Sequence, residues 1–241
     1  MSVPQSLEEA IASAKSAVTN ALNDGYRRLQ VELVIPEIAL QAQALALEFT
    51  TLFTEYGSGL KVFLPDTGAA ALARRDWGET PFAVTDLGTN RSPIETRVND
   101  TDQIFLVVSP SAVEVTQVEK LCNLAGDRPV VLLIPQLEDV SIVGIGLAAR
   151  QLRERFLSTL ESCYYFKPLE GAAVLKNYPS PWQVWRESGN DYQLLCEQGE
   201  KPLGEALERI LTQQSESNTV PIPKKSGLLA NLQQFLRALS Q

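Results

Sequence analysis

Asp102–Asp139 reads DQIFLVVSPSAVEVTQVEKLCNLAGDRPVVLLIPQLED, and its reading decides the fold. Two uncharged apolar runs, Ile104–Val108 and Val130–Ile134, flank one amphipathic segment. Runs that are apolar on both faces suit strands buried on both faces, as in a parallel sheet covered by helices. Ser111 and Glu114 have the spacing of a capping box, which starts a helix. Gly126 sits where a helix C-cap is expected. A helix between two such strands is a crossover unit, and crossovers in a parallel sheet are almost always right-handed.

Upstream, residues 6–24 read as a helix. Ser6 and Glu9 are spaced as a capping box, and Leu7, Ile11, Ala14, Val18 and Leu22 form one apolar stripe ended by Gly25. Arg27–Ile35 alternates as an edge or half-buried strand. Pro36 then opens a helix at the position proline tolerates best, with Ile38, Ala42, Leu45, Phe49 and Leu52 on its buried face. Leu60–Leu64 is the next strand, followed by Pro65-Asp66-Thr67-Gly68 and the helix AAALARR, and Phe82–Thr85 is a short strand. Residues 88–101 carry charges and turn formers without periodicity and read as a mobile loop.

Downstream, Val140–Ile145 reads as a loop or short strand, and an amphipathic helix with Arg150, Arg153 and Arg155 runs from about Leu147 to Leu160. Cys163–Lys167, Ala172–Lys176, Trp182–Arg186 and Tyr192–Cys196 then recur about every ten residues with turns between, the spacing of an antiparallel meander. The expected class is α/β: a mostly parallel sheet flanked by helices, Rossmann-like and three-layered, followed by an antiparallel β-meander. The expected plan is an N-terminal helix at 1–25 packed on the domain and one α/β domain at 26–212. Within it lie a strand–helix core at 26–160, the meander at 161–198 and a closing helix at 203–212. A linker at 213–226 and an amphipathic C-terminal helix at 227–241 complete it.

The chain has 241 residues, 44% hydrophobic and 21% charged, with a formal net charge of −8. An acidic balance disfavours nucleic acid, whose affinity comes mostly from Lys and Arg neutralising phosphates. No apolar run approaches the ~20 residues of a membrane span. The first residues show neither a secretory signal nor an Arg-rich transit peptide, so cytoplasmic residence is expected. Cys122, Cys163 and Cys196 are far apart and read as buried reduced thiols. The sequence has no histidine, which removes the commonest general base and excludes Ser–His and Cys–His catalysis.

In an open parallel sheet, ligands bind beyond the carboxyl ends of the strands. The candidate ligand-binding residues there are Asp66, Thr67, Ser109, Ser111, Glu138 and Asp139. Helix N-termini near Thr67 and Ser111 would offer N–H groups to an anion. Capping alone also explains Asp66, Ser111 and Glu114. Neither phosphate-loop motif is present, and Gly144-Ile145-Gly146 lacks a third glycine, with Ala149 in its place. No catalytic residue, metal ligand or cofactor follows from the residues. The candidate partner-binding residues are Arg74, Arg75, Trp77, Trp182, Trp185, Leu228, Leu232, Phe235 and Leu239. Arg and Trp are favoured at interface hot spots. The Leu228–Leu239 stripe is too short to stand alone in water and needs its own domain, a partner protein or a membrane surface to dock on.

Four stretches together carry a family resemblance: FLPDTGAAALARRDW at 63–77, VEKLCNLAGDRPVVLLIPQLED at 118–139, GIGLAARQLRERFLSTLESCYYFKPL at 144–169 and PWQVWRE at 181–187. They resemble DUF1995, a domain of unknown function of cyanobacteria and plastids, over about residues 25–212. That family includes the third Low-Photosystem-II-Accumulation factor. The resemblance implies a non-catalytic accessory or assembly factor of oxygenic photosynthesis, aiding photosystem II biogenesis through protein–protein contacts. Peripheral thylakoid association is part of that implication, and the lack of a transit peptide favours a cyanobacterial source. The domain also occurs attached to a plastid adenylate kinase, but this chain has no phosphate-binding loop. The family supplies no catalytic residues to carry over. The alternative is a small-molecule or nucleotide-binding α/β domain, including an enzyme, with its site at the carboxyl edge of the sheet.

Overall fold

The computed structural model describes residues 2–89, 91–137, 147–189 and 191–213. Glu138, Asp139, the segment Val140–Ile145, and the C-terminal stripe of Leu228, Leu232, Phe235 and Leu239 lie outside the described residues. The chain forms two compact units. One holds residues 21–32 and 39–162; the other holds the chain up to Asn20, Leu33–Ile38 and the described residues from Cys163 onward.

The first unit is a parallel sheet. Its strands are β1 (Arg28–Leu33), β2 (Leu60–Leu64), β3 (Ala83–Asp86), β4 (Ile104–Val108) and β5 (Val130–Leu133), in the order β3-β2-β4-β5-β1. Every pairing is parallel, with Val62 beside Leu106, Leu106 beside Val131, and Val31 beside Leu133. β2, β4 and β5 are buried at every residue; β4 and β5 are uninterrupted apolar runs, whereas β2 carries one buried charge, Lys61. β1 alternates half-buried and buried positions, as its alternating sequence implies.

The helices are α2 (Ala42–Thr50), α3 (Thr67–Trp77), α4 (Val115–Ala125) and α5 (Leu147–Arg155). The connections β1-α2-β2 and β2-α3-β3 step toward the β3 end of the sheet, whereas β4-α4-β5 steps toward β1. Right-handed crossovers therefore put α2 and α3 on one face and α4 on the other. The α4 face is a continuous core in which Phe63, Phe105, Val107, Val130 and Leu132 meet Val118, Leu121 and Cys122 of α4 and Leu152 of α5. Arg155 of α5 clasps Glu119 of α4 through two bonds of 2.7 and 2.9 Å. That guanidinium holds the Glu119 carboxyl below its ordinary pKa.

Two local expectations are corrected. Pro36 does not open a helix: Glu37 takes a left-handed turn at φ 65, Ile38–Gln41 is a single 3-10 turn, and α2 starts only at Ala42. The described residues of 88–101 are not without structure. Thr89 bridges Ser92, Ile94–Arg97 is a 3-10 turn, and Ile94 is fully buried in the α4-face core. One apolar residue in a polar stretch carries no period, so its anchoring role was not visible as a pattern.

The amino edge of this sheet is locked by a buried ion pair. Lys61 Nζ of β2 donates to Asp102 Oδ2 at 2.7 Å and to the Arg97 carbonyl at 2.8 Å, with side chains only 6% and 3% exposed. Asp102 Oδ2 also accepts the Asn99 N–H. Arg128 lies over the Phe105 ring, 5.0 Å from its centroid. It donates to the Leu124 and Ala125 carbonyls at the end of α4 and to those of Asn99 and Asp102.

The second unit contains α1 (Leu7–Asn23) through Asn20 and the strands β6 (Glu161–Leu169, from Cys163 on), β7 (Ala172–Asn177), β8 (Trp182–Ser188) and β9 (Asp191–Gln198). Ser6 Oγ accepts the Glu9 N–H, so the capping residue starts α1 where the sequence places it. Its buried stripe of Leu7, Ala10, Ala14, Ala17 and Val18 is mostly alanine, which permits close packing. β6 to β9 pair antiparallel in chain order. Gly171, at φ 69, makes the tight turn between β6 and β7. On one face Tyr165 and Trp182 meet edge to face at 5.1 Å, and Lys201 Nζ sits 4.0 Å from the Tyr165 ring centroid. α6 (Gly204–Gln213) adds Leu207 to this cluster and so closes the unit.

Replacing Lys61 by Met leaves Asp102 buried without its cation and should cost about 3–5 kcal/mol in urea unfolding. Lys61→Met with Asp102→Leu should recover at least half of that loss. An unchanged unfolding midpoint for Lys61→Met alone would show that the pair does not lock this edge.

Candidate functional site

Strand order reverses between β2 and β4: the chain leaves β2 toward one end of the sheet and leaves β4 toward the other. Two neighbouring strands whose outgoing loops diverge to opposite faces leave a crevice at their carboxyl ends, where open α/β sheets bind ligands. A cleft of about 370 Å³ occupies that position. Pro65, Asp66 and Thr67 come from the β2–α3 turn, Asp86, Gly88 and Thr89 from the end of β3, and Val113, Glu114, Thr116 and Gln117 from the start of α4. The volume is near the lower end for small-molecule sites.

Each carboxylate in the cleft holds backbone in place. Asp66 is the N-cap of α3, and its Oδ1 accepts the Ala69 N–H at 2.9 Å. Asp86 Oδ1 accepts the Gly88 N–H at 2.8 Å and receives the Arg97 guanidinium at 2.9 Å. Arg97 in turn donates to Ser92, through both its carbonyl and its hydroxyl. Glu114 Oε2 accepts from the Ser111 N–H at 2.9 Å and the Ser111 hydroxyl at 2.6 Å, while Ser111 Oγ accepts the Val113 N–H. Only the Glu114 half of the expected capping box forms: Ser111 Oγ takes the Val113 N–H rather than that of Glu114, and α4 begins at Val115 with Glu114 as its N-cap and no side-chain cap bond. Gly88 is required where it stands: it has φ 75, and a Cβ there would lie 2.3 Å from the Ser92 carbonyl oxygen.

Of the sequence candidates, Asp66 and Thr67 line the cleft. Ser109 and Ser111 stand at the same sheet edge without lining it. Ser109 ends β4 in a left-handed conformation at φ 47, and Ile134 ends β5 in the same way. Each precedes a proline, and beyond them Ser111 pairs with Gln136 in a parallel bridge. Glu138 and Asp139 lie outside the described residues. The sequence reading missed Asp86, Gly88 and Thr89. The available signal was the Asp-Leu-Gly-Thr run directly after a short strand, which places a carboxylate and a tight turn at a strand end.

The Arg74–Trp77 cluster is remote from the cleft. It ends the α3 helix whose first turn lines the cleft, about 16 Å along an 11-residue helix. Arg74 donates to the Val84 carbonyl, Arg75 pairs with Asp76 at 2.7 Å, and Trp77 packs edge-on against Phe82. Trp182 and Trp185 are covered, at 7% and 8% exposure, and the Trp185 indole N–H donates to Gln183. Burial pushes the Cys122 thiol up to about 12 and raises that of Cys196. Neither burial effect favours a thiolate nucleophile. Among the described residues, no group of three or more His, Cys, Asp or Glu side chains is placed to hold a metal ion. The carboxylates of the cleft hydrogen-bond its own backbone.

Asp66→Ala should cost about 1 kcal/mol of stability through loss of the α3 cap, whereas Asp66→Asn should cost only a few tenths. Chemical denaturation of both variants checks this; equal losses would mean that Asp66 contributes charge rather than capping.

The sequence model described as Domain of unknown function (DUF1995) matches residues 4–209. The match begins ahead of α1 and so takes in the N-terminal helix that the sequence resemblance left out. It runs through β9 into α6 and spans all the strands and the cleft, and the chain belongs to the DUF1995 family.

Proposed function

We propose that this protein is a non-catalytic accessory factor of oxygenic photosynthesis, one that aids photosystem II biogenesis through contacts with other proteins. The observation that carries this reading is the state of the cleft. Asp66, Asp86 and Glu114, the carboxylates that could act there as acid or base, each spend an oxygen on capping a helix or pinning a turn. These structural roles account for the three carboxylates without a reaction. Membership of the DUF1995 family supports the photosynthetic setting through the assembly factor that the family includes. No described helix is long and apolar enough to cross a membrane.

A second reading is favoured by one observation. The cleft falls at the reversal of strand order, the usual position for a small-molecule or nucleotide site in this architecture. In that reading Asp66 and Thr67 would contact the ligand, with Ser109 and Ser111 beside them.

Affinity capture with the tagged full chain from a phototroph lysate should recover photosystem II subunits or assembly proteins; capture of none of these would contradict the first reading. A thermal-shift screen with nucleotides, sugar phosphates and divalent ions separates the two. A true ligand at about 100 times its dissociation constant adds about 2.7 kcal/mol, and the first reading expects a flat screen.

A further inference from the structure

One sheet face of the antiparallel unit has a charge opposite to that of the chain. Opposed residues in a ladder share a face, as do alternate residues along a strand. The registers of β6, β7 and β8 therefore put Tyr165, Val174, Trp182 and Val184 on one face. Lys176 stands on that face opposite Tyr165, Lys167 opposite Val174, and Arg186 opposite Ala172. From Cys163 to Ser188, the strand residues of this face include no Asp or Glu. Lys201 adds a fourth cation, 4.0 Å from the Tyr165 ring centroid and 5.5 Å from that of Trp182. In a chain of net charge −8, four half-buried cations around one aromatic pair are a local reversal.

α6 covers this face lightly. Leu207 is the α6 side chain packed into the cluster of Tyr165, Val174 and Trp182, and Arg186 donates to the Leu211 carbonyl at 2.6 Å. None of residues 204–212 is buried, and Leu203, just ahead of the helix, is 62% exposed. A helix with so little buried apolar surface belongs to the low-stability end of a fold and opens locally before the rest. α6 also matches the face in charge: Glu205 and Glu208, both exposed, flank Leu207 in sequence. An apolar centre beside cations suits an apolar helix that carries carboxylates. What is seated on this face is a helix, so its fitting occupant is another helix rather than a bilayer.

We infer that α6 is a displaceable strap, and that the face beneath it is the docking surface for an acidic amphipathic helix of a partner protein. Leucines of that helix would meet Tyr165, Val174 and Trp182, and its Asp or Glu side chains would meet Lys167, Lys176 and Arg186. The inference rests on the accessory-factor reading and names a surface for it. α6 holds the surface closed in cis. A partner has to compete with the strap, so weakening the strap raises the partner's apparent affinity.

The test uses the full chain and a synthetic helix with a leucine face bordered by glutamates. A matched helix carries lysines in place of the glutamates. By fluorescence anisotropy, the glutamate helix should bind the native chain, more weakly as salt rises, and the lysine helix should not bind. Leu207→Ser loosens the strap without altering the floor and should tighten binding of the glutamate helix at least about tenfold. Leu211→Ser, toward the far end of the strap, should act in the same direction. Lys167→Gln with Lys176→Gln should weaken binding and flatten its salt dependence. In native-state hydrogen exchange, the amides of α6 should exchange faster than those of β6 to β8.

Equal or absent binding of the glutamate helix to the native, Leu207→Ser and Leu211→Ser chains would overturn the proposal. So would loss of protection in β6 to β8 of the Leu207→Ser chain, because a strap leaves without unfolding the unit it covers. A dimer, seen by ultracentrifugation, that Leu207→Ser abolishes would give the face to a second copy's α6 and overturn it. Flotation on phosphatidylcholine–phosphatidylglycerol vesicles that the double Lys variant abolishes would give the face to lipid and overturn it too. Failure of the surface and failure of the function are separable. If the Leu207→Ser chain captures no more of the photosynthetic proteins than the native chain does, the surface is wrong and the accessory role stands. If the helix data come out as expected but no photosynthetic protein is captured, the accessory role falls and the surface stands.

Discussion

Right-handed crossovers acting on one reversed strand order shape the whole parallel unit. Because β2 and β4 are neighbours whose chains leave in opposite directions, α3 and α4 must cover opposite faces. Their N-termini then diverge, and the gap between the β2–α3 and β4–α4 turns stays open. The Asp66 cap, the Asp86 turn and the Ser111–Glu114 hydrogen bonds all finish the walls of that gap. The cleft follows from topology first, and the side chains hold its rim in shape.

The two edges of this sheet are built differently. The amino edge is closed by buried charge: Lys61 on Asp102, with Arg128 tying the end of α4 to the Asn99–Asp102 turn. A buried ion pair adds little net stability, but an unmatched partner is costly, so the arrangement fixes how this turn must sit. The carboxyl edge carries the left-handed Ser109 and Ile134 and the cleft. A branched residue such as Ile134 at positive φ is an uncommon conformation that its surroundings must enforce.

Much of this was legible in the sequence because the signals were local. The double-sided apolar runs of β4 and β5, the Ser111–Glu114 spacing, and the ten-residue rhythm of the meander each report on neighbours along the chain. Strand order does not. Nothing in Leu60–Leu64 or Ala83–Asp86 says that β3 lies outside β2, so the position of the cleft could be stated only as an edge. The 88–101 stretch was misread because Ile94 and Arg97 act through distant partners, a core and a carboxylate, and leave no period behind. The expectation at Pro36 failed because a proline that could open a helix can equally precede a turn, here the left-handed Glu37. For the site, Asp66 and Thr67 were found by the rule that strand ends bind, whereas Asp86 needed the β3 pairing to be known.

The central claim is that the carboxyl edge of the parallel sheet is the working surface of the parallel unit. Hydrogen–deuterium exchange of the chain, alone and with any protein recovered by affinity capture, tests this most directly. The account predicts slower exchange on binding in Asp66–Ala69, Asp86–Thr89 and Ser111–Gln117, the segments that build the cleft and its rim. Protection confined to β9 and α6, with those segments unchanged, would contradict it.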